Sequence, residues 1–479
     1  MATGEHYPLL PFCIIAFAVV LVMCIAAFKR EGPASFSVTL CGYGVSFISS
    51  FAVIAKIAPV GKMITPLLIV DGYSLFFIDL ILAASFVLTV MSHDYLRMHA
   101  ARSAEYHILL LTATLGAMVL AASGHFLPFF LGLEILSLAL YALIAYLYTA
   151  PRHLEAGIKY LILSSVSMAF LLFGMALIYD RLGTMEFQLM SARMSRFTAD
   201  STVIPGTVMI LVGVGFKLAL VPFHMWAPDV YEGAPVPIAA FIATVSKGAV
   251  LTVLVRFIPP AAISEGTYLF MILTIVAVAT MFTGNFLALL QRNVKRLLAY
   301  SSIAQFGYLL VAFLSAGTSR LTSIAYYLVA YFVMTIGAFG IVTVMADRNN
   351  DGDSLDAYAG LFYVRPGLAA AFAFMLLALA GMPLTMGLIG KLYIFVAGIA
   401  SGLWFLAIVL AISSVIGLFY YMRVISIMFV RPEDPAIVPV TARRSGCVGF
   451  LVAALAVILV ALGVYPAPLI VIIQRMIGQ

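Results

Sequence analysis

Apolar runs of about twenty residues recur from one end of this chain to the other, each long enough to cross roughly 30 Å of hydrocarbon as a helix. In a bilayer every backbone N–H and C=O must be satisfied within one helix or within a closed barrel, so these runs leave two architectures. They are continuous, rich in Leu, Ala, Ile and Phe, and flanked by charges, whereas barrel strands alternate over about ten residues. The chain therefore reads as an all-α polytopic membrane protein. Composition agrees, with 64% of the 479 residues hydrophobic and 10% charged, against about 25% charged in a soluble domain. A water-facing enzyme is excluded.

Hydropathy and helix breakers predict spans near 8–28, 34–55, 72–92, 105–122, 126–148, 156–180, 204–221, 237–257, 267–290, 297–316, 322–346, 366–399, 403–429 and 447–470, about fourteen transmembrane helices. The first run has its charges, Lys29 and Arg30, after it rather than before it, and is expected to stay in place as the first helix. Alternating the connections between two sides gathers Lys29, Arg30, Arg97, Arg102, Arg152, Arg292, Lys295, Arg296, Arg348, Arg365, Arg431, Arg443 and Arg444 on one face. The positive-inside rule makes that face cytoplasmic and puts both termini outside, which is periplasmic in a bacterial inner membrane. The net charge of +6 then serves orientation, and nucleic-acid binding has no support. Cys13, Cys24, Cys41 and Cys447 lack CxxC spacing and read as apolar fillers, not as cluster or zinc ligands. No connection is long enough for a separate domain. The 347–365 connection, with Asp347, Asp351, Asp353 and Asp356, reads as a solvated loop.

The expensive residues are ionisable ones inside spans. Lys159, Lys217, Lys247 and Lys391 lie within apolar segments or at their shoulders, where each lysine at full depth costs about 2.5–3.5 kcal/mol. Glu134 sits near the middle of the fifth span as a partner for one of them, and Glu155 precedes Lys159 by four residues, on the same helical face. Burial disfavours a charged amine and a nearby carboxylate restores it, so a lysine with a movable carboxylate is a proton site that a distant event can load and unload. One acid with several lysines on separate helices points to a path. The alternative is static ion pairs that fix helix packing.

Two of these lysines occupy segments that should be interrupted. Gly213 and Gly215 precede Lys217, and Pro222, Pro228, Pro235 and Pro237 follow it; Gly381, Pro383, Gly387 and Gly390 precede Lys391. Proline removes a donor and clashes with the preceding turn, and discontinuous helices with an ionisable residue at the break mark ion sites in transporters. The two segments, seventh and twelfth in order, lie five helices apart, as two inverted five-helix repeats require. Ser301, Gln305 and Tyr308 share a face of the tenth span, Tyr327, Tyr331 and Thr335 share one of the eleventh, and Thr244 and Ser246 flank Lys247. Such groups serve a hydrated path or interhelical hydrogen bonds equally well. Asp79 is a weaker candidate, and His224 reads as a loop or interfacial residue without metal spacing. The GLIGK segment 387–391 lacks the Ser or Thr of a phosphate loop.

FLGLEILSLALYALIAY, EAGIKYLILSS, GFKLALVPFHMWAPDVYEGAPVPIAAFIATVSK, NVKRLLAYSSIAQFGYLLVAF and LAGMPLTMGLIGKLYIF resemble, in order and spacing, the proton-conducting antiporter-like subunits of respiratory complex I. The likeness covers nearly the whole chain. Lys391 points to the N-type branch, since the M-type looks to have glutamate there, and the absence of a long lateral C-terminal helix argues against the L-type. The resemblance implies fourteen helices with two inverted five-helix repeats, and Glu134 paired with Lys217. It also implies Lys247 as central relay, Lys391 on the outward half-channel, and Lys159 with Glu155 near the cytoplasmic intake. Its segments would be 1–104 (first three helices), 105–257 (first repeat), 267–429 (second repeat) and 430–479 (last helix). No flavin, cluster or nicotinamide is expected in this chain. FMN, iron–sulfur clusters and quinone would belong to partner subunits, with K-type and M-type neighbours and lipids around it. Gln305 departs from relatives that often carry histidine there, and an amide does not take a proton at neutral pH. A subunit of a related cation/proton antiporter or membrane-bound hydrogenase, and a purely structural scaffold, are the alternative readings.

Overall fold

The computed structural model describes residues 7–28, 33–57, 62–63, 67–99, 102–148, 151–194, 200–317, 319–347, 351–430 and 446–477. Of the charges used for orientation, Lys29, Arg30, Arg348, Arg431, Arg443 and Arg444 lie outside the described residues. The chain opens with α1 (Leu10–Phe28), α2 (Pro33–Ile57) and α3 (Gly72–Met98), then α4 (Ser103–Ala121), α5 (Phe126–Ile144) and the long α6 (Pro151–Leu182). A short α7 (Phe187–Met194) leads to α8 (Val203–Leu218), α9 (Trp226–Gly233), α10 (Val236–Phe241) and α11 (Lys247–Phe257). The second half holds α12 (Tyr268–Leu289), α13 (Val294–Leu314), α14 (Ser319–Met345), α15 (Leu361–Val364), α16 (Pro366–Ala380), α17 (Met386–Ala400) and α18 (Trp404–Phe429). It ends with α19 (Gly446–Val464) and α20 (Ala467–Ile477). A two-residue antiparallel ladder, β1 (Lys62–Met63) with β2 (Ile69–Val70), is a small departure from the all-helical expectation.

Twelve helices among the described residues are long and apolar enough to span a membrane. The expected seventh and twelfth spans are not among them, because each is split. After α8 the chain turns through 219–225, with Ala219 in the left-handed region at φ 57°. Between α16 and α17 it turns through 381–385, with Gly381 at φ +90° and Leu384 at φ 68°. Glycine accepts that backbone without steric cost. The span expected at 447–470 also needs correction. It stops at Val464 and resumes as the separate helix α20 from Ala467, since Pro466 and Pro468 remove donors that a continuous helix would need.

Burial orders the helices around one centre. The windows of Val236–Phe257 and Val294–Leu314 are completely buried, whereas that of Gly446–Val464 is 22% buried. The central pair carries Lys247 and the Ser301–Tyr308 face, so the polar residues of the sequence converge inside the bundle. The rim exposes large apolar side chains such as Phe17, Ile48, Phe173 and Phe450, as a lipid-facing surface does. Close approach at the second break depends on glycine, because a Cβ on Gly387 would lie 1.9 Å from the Ala378 carbonyl oxygen.

Candidate functional site

Lys217 lies in the last turn of α8, immediately before the first break, and is buried. Its Nζ donates to Ser137 Oγ of α5 and to Ser164 Oγ of α6, each at 2.6 Å, and lies 5.3 Å from the centre of the Tyr160 ring. Tyr141 donates to the same Ser164 hydroxyl at 2.7 Å. Glu134 is half-buried on α5, three residues before Ser137, and its charge reaches Lys217. Among the described residues, however, no ion pair within 4.0 Å joins the two. The direct contact expected between them is taken by the serines, which occupy the space around the ammonium.

Lys247 is fully buried and follows a π-helical turn, Ile242–Ser246, that the periodicity of the sequence did not signal. Such turns recur at functional sites because they re-aim one side chain without breaking the helix. Lys247 Nζ donates to Ser302 Oγ of α13 at 2.8 Å, and Tyr331 of α14 donates to the same oxygen at 2.8 Å. The rings of Phe306 and Tyr231 flank the ammonium at 5.2 and 5.6 Å.

Lys391 sits one turn into α17, and its Nζ reaches back across the second break. It donates to the carbonyl oxygens of Leu379 at 3.0 Å and Ala380 at 2.9 Å, and to Ser414 Oγ at 2.9 Å. These carbonyls end α16, where a helix has no further N–H to offer, and a cation there also meets the negative end of the helix dipole. The break thus creates the ligands of its own lysine.

Gln305 links this third group to its neighbours. Its Nε2 donates to Leu379 O at 3.1 Å and to Tyr421 OH at 3.4 Å, while its Oε1 accepts from Tyr327 OH. Tyr421 is in turn hydrogen bonded to Ser301. On α13, Ser302 and Gln305 are three residues apart; on α14, their partners Tyr331 and Tyr327 are four apart. The two helices thereby form a ladder of two polar rungs, one at Lys247 and one beside Lys391.

Lys159 belongs to a different setting. It is exposed on α6 and pairs with Glu155 at 2.7 Å and with Asp229 of α9 at 3.1 Å. Asp229 also accepts from Arg296 of α13 at 2.7 Å. Nothing in the local sequence around Asp229 separated it from a surface carboxylate. Asn285 was also missed: buried on α12, its amide nitrogen donates to Ser413 Oγ at 2.7 Å and to Tyr308 OH at 2.9 Å, and its oxygen accepts from Tyr420 OH at 3.1 Å. His224 lies in the first break but is buried, with the Lys247 charge in reach; proximity in the fold, not sequence spacing, put it there. Asp79 accepts a hydrogen bond from Ser50 of α2.

The acidic 347–365 connection is not simply solvated. Asp351 is 1% exposed, accepting from Tyr95 OH at 2.7 Å, Lys295 Nζ at 2.9 Å and Arg152 Nη2 at 3.1 Å. No group of three or more His, Cys, Asp or Glu among the described residues is arranged to hold a metal ion.

The lysine line can be set beside known proteins. The family described as NADH:quinone oxidoreductase/Mrp antiporter, transmembrane, matches residues 123–417, which contain both breaks and the four candidate lysines Lys159, Lys217, Lys247 and Lys391. The chain belongs to this family. NADH-quinone oxidoreductase subunit N of Nitrosospira multiformis is 48% identical over 97% of this chain and 94% of its own length. Subunit N of Methylococcus capsulatus is 42% identical over 98% of this chain and 95% of its own length. In the solved structure of respiratory complex I from Thermus thermophilus with bound aureothin, a chain 30% identical superposes with a TM-score of 0.81, covering 96% of this chain and 98% of that one. The resemblance to the antiporter-like complex I subunits is borne out by the family match and the complex I superposition, and the N-type branch by the sequence relatives. As a member of this family the chain is a multi-pass membrane protein.

Proposed function

We propose that this chain is the N-type membrane subunit of a proton-pumping NADH:quinone oxidoreductase and carries protons along Glu134, Lys217, Lys247 and Lys391. Lys159 and Glu155 lie at the cytoplasmic intake. One observation carries the reading. Lys217, Lys247 and Lys391 are buried, and among the described residues each ammonium is held by neutral oxygens alone, without a carboxylate within 4.0 Å. By contrast Lys159 and Lys295 are paired with carboxylates. Serine hydroxyls accept from an ammonium and donate to a neutral amine, so the Ser137, Ser164, Ser302 and Ser414 ligands serve a lysine in either protonation state. A fixed ion pair would favour only one.

Fourteen spans in two inverted five-helix repeats, 105–257 and 267–429, would put the two broken helices at equivalent places, with 1–104 and 430–479 flanking them. Electron transfer takes place elsewhere: FMN, iron–sulfur clusters and quinone are held by partner subunits. K-type and M-type membrane subunits and lipids surround the chain. The site is a bacterial inner membrane, with both termini periplasmic. Glu134 tunes Lys217 through space, across Ser137.

Replacing Glu134 or Lys217 by Ala is expected to abolish most NADH-driven proton pumping while the complex still assembles. Near-normal proton-to-electron stoichiometry in both variants defeats the relay. The family also includes Mrp antiporters, which supports a second reading as a cation/proton antiporter subunit. Copurification separates the two, because flavin and iron–sulfur subunits that oxidise NADH accompany only the first. A structural scaffold predicts that loss of Lys247 alters assembly alone.

A further inference from the structure

The turn Gly233–Pro235 joins the helix beyond the Lys217 break to the one that leads into Lys247. It is gripped from two sides. On α6, His153 Nδ1–H donates to the Gly233 carbonyl, and a Cβ on Gly233 would lie 2.4 Å from Ala156 Cβ. On α13, Lys295 Nζ donates to the Ala234 carbonyl at 2.8 Å. Lys295 is fully buried, and Asp351 fixes it there at 2.9 Å while also receiving Tyr95 of α3 and Arg152 of α6. The Asp351 segment is itself tied to the start of α13. Val294 N–H donates to Asp353 O at 2.6 Å, Leu355 N–H to Arg292 O at 3.0 Å, and Asn293 Nδ2 to Asp353 Oδ2 at 3.0 Å.

Lys295 and Ser302 stand seven residues apart on α13, two helical turns and about 10 Å along the axis. One holds the start of the Ala234–Lys247 segment and the other holds its end, the Lys247 ammonium. Helix α13 thus grips that segment at two points. We propose that Asp351 is a positioning residue for proton transfer: it keeps Lys295 on the Ala234 carbonyl and so fixes Lys247 against Ser302 from outside the proton path. The inference rests on the relay reading above.

The test uses the assembled complex in native membranes. Asp351→Asn keeps an acceptor for Tyr95 and removes the charge; the Lys295→Met/Asp351→Asn pair leaves no uncompensated buried charge if the single variant fails to assemble. Assembly is read from NADH oxidation by an artificial electron acceptor, and proton transfer from quinone-linked turnover per assembled complex and its solvent deuterium isotope effect. Turnover per complex should fall between about fivefold and a hundredfold, as ångström-scale misplacement does, and the isotope effect should rise. Wild-type turnover and isotope effect per assembled complex, in the single variant or in the pair if only that assembles, overturn the proposal. Lys247→Met is measured alongside. If it abolishes turnover while the Asp351 variants are normal, the positioning inference alone fails; if it too is normal, the relay reading fails.

Discussion

Gln305 and Lys391 share one acceptor: the Leu379 carbonyl oxygen takes the glutamine amide at 3.1 Å and the lysine ammonium at 3.0 Å. The amide carries no proton charge, yet it ties Tyr327 and Tyr421 to the end of α16. Gln305→Leu should leave the buried Tyr327 hydroxyl without its acceptor, while Leu379 O keeps Lys391 and Tyr421 keeps Ser301, at a cost of about 1–3 kcal/mol for the orphaned group, and lower turnover. Gln305→His restores one donor and one acceptor and should retain most of it. Turnover per assembled complex decides, and equal activity in both variants would show that the link is dispensable.

The Ser302 hydroxyl receives both Lys247 and Tyr331. Ser302→Ala should therefore reduce quinone-linked turnover by roughly tenfold, since one positioned proton-transfer partner contributes on the order of 10²–10⁴ and water replaces part of it. Tyr331→Phe removes a donor but leaves Ser302 on Lys247, so its loss should be smaller. Steady-state rates at saturating quinone check the order of the two.

Gly387 faces the Ala378 carbonyl so closely that any Cβ collides with backbone. Gly387→Ala should push α17 from α16 and pull Lys391 from its carbonyl ligands. Loss of assembled complex, or assembled complex without pumping, is expected in blue-native gels and proton-uptake assays. Wild-type values in both would show that the break accommodates a methyl group.

The Asp351 carboxyl sits at about 2, below its ordinary 3.8; burial raises it, but Lys295, the Tyr95 hydrogen bond and Arg152 together outweigh that effect. A depressed carboxylate contributes stability that is complete above its unfolded value and disappears as pH falls through the folded one. A depression of nearly two units corresponds to roughly 2 kcal/mol. The difference in thermal midpoint between wild type and Asp351→Asn should accordingly stay constant from pH 8 to pH 5 and shrink only below about pH 4. A difference that already shrinks between pH 7 and pH 6 contradicts the assignment.

Much of the lysine line was legible because charge inside hydrocarbon is costly enough to stand out in a single sequence: Lys217, Lys247 and Lys391 are all buried. Lys159 stood out by the same rule yet lies exposed, since a helix has a lipid face and an open face that hydropathy alone does not distinguish. Asp351 was misread for the opposite reason. Its neighbours in sequence are polar, but Tyr95, Arg152 and Lys295 reach it from distant segments.

The sequence by itself determined that this chain must fold as membrane-spanning helices, where two of them would break, and which side chains would be expensive to bury. Those properties depend on local composition, backbone chemistry and the energy of taking one charge out of water. Only the tertiary structure decided what each lysine touches: serines at Lys217, Ser302 at Lys247, and the severed end of α16 at Lys391. Partners are set by which helix faces meet, and faces far apart in sequence come together through packing across the whole bundle.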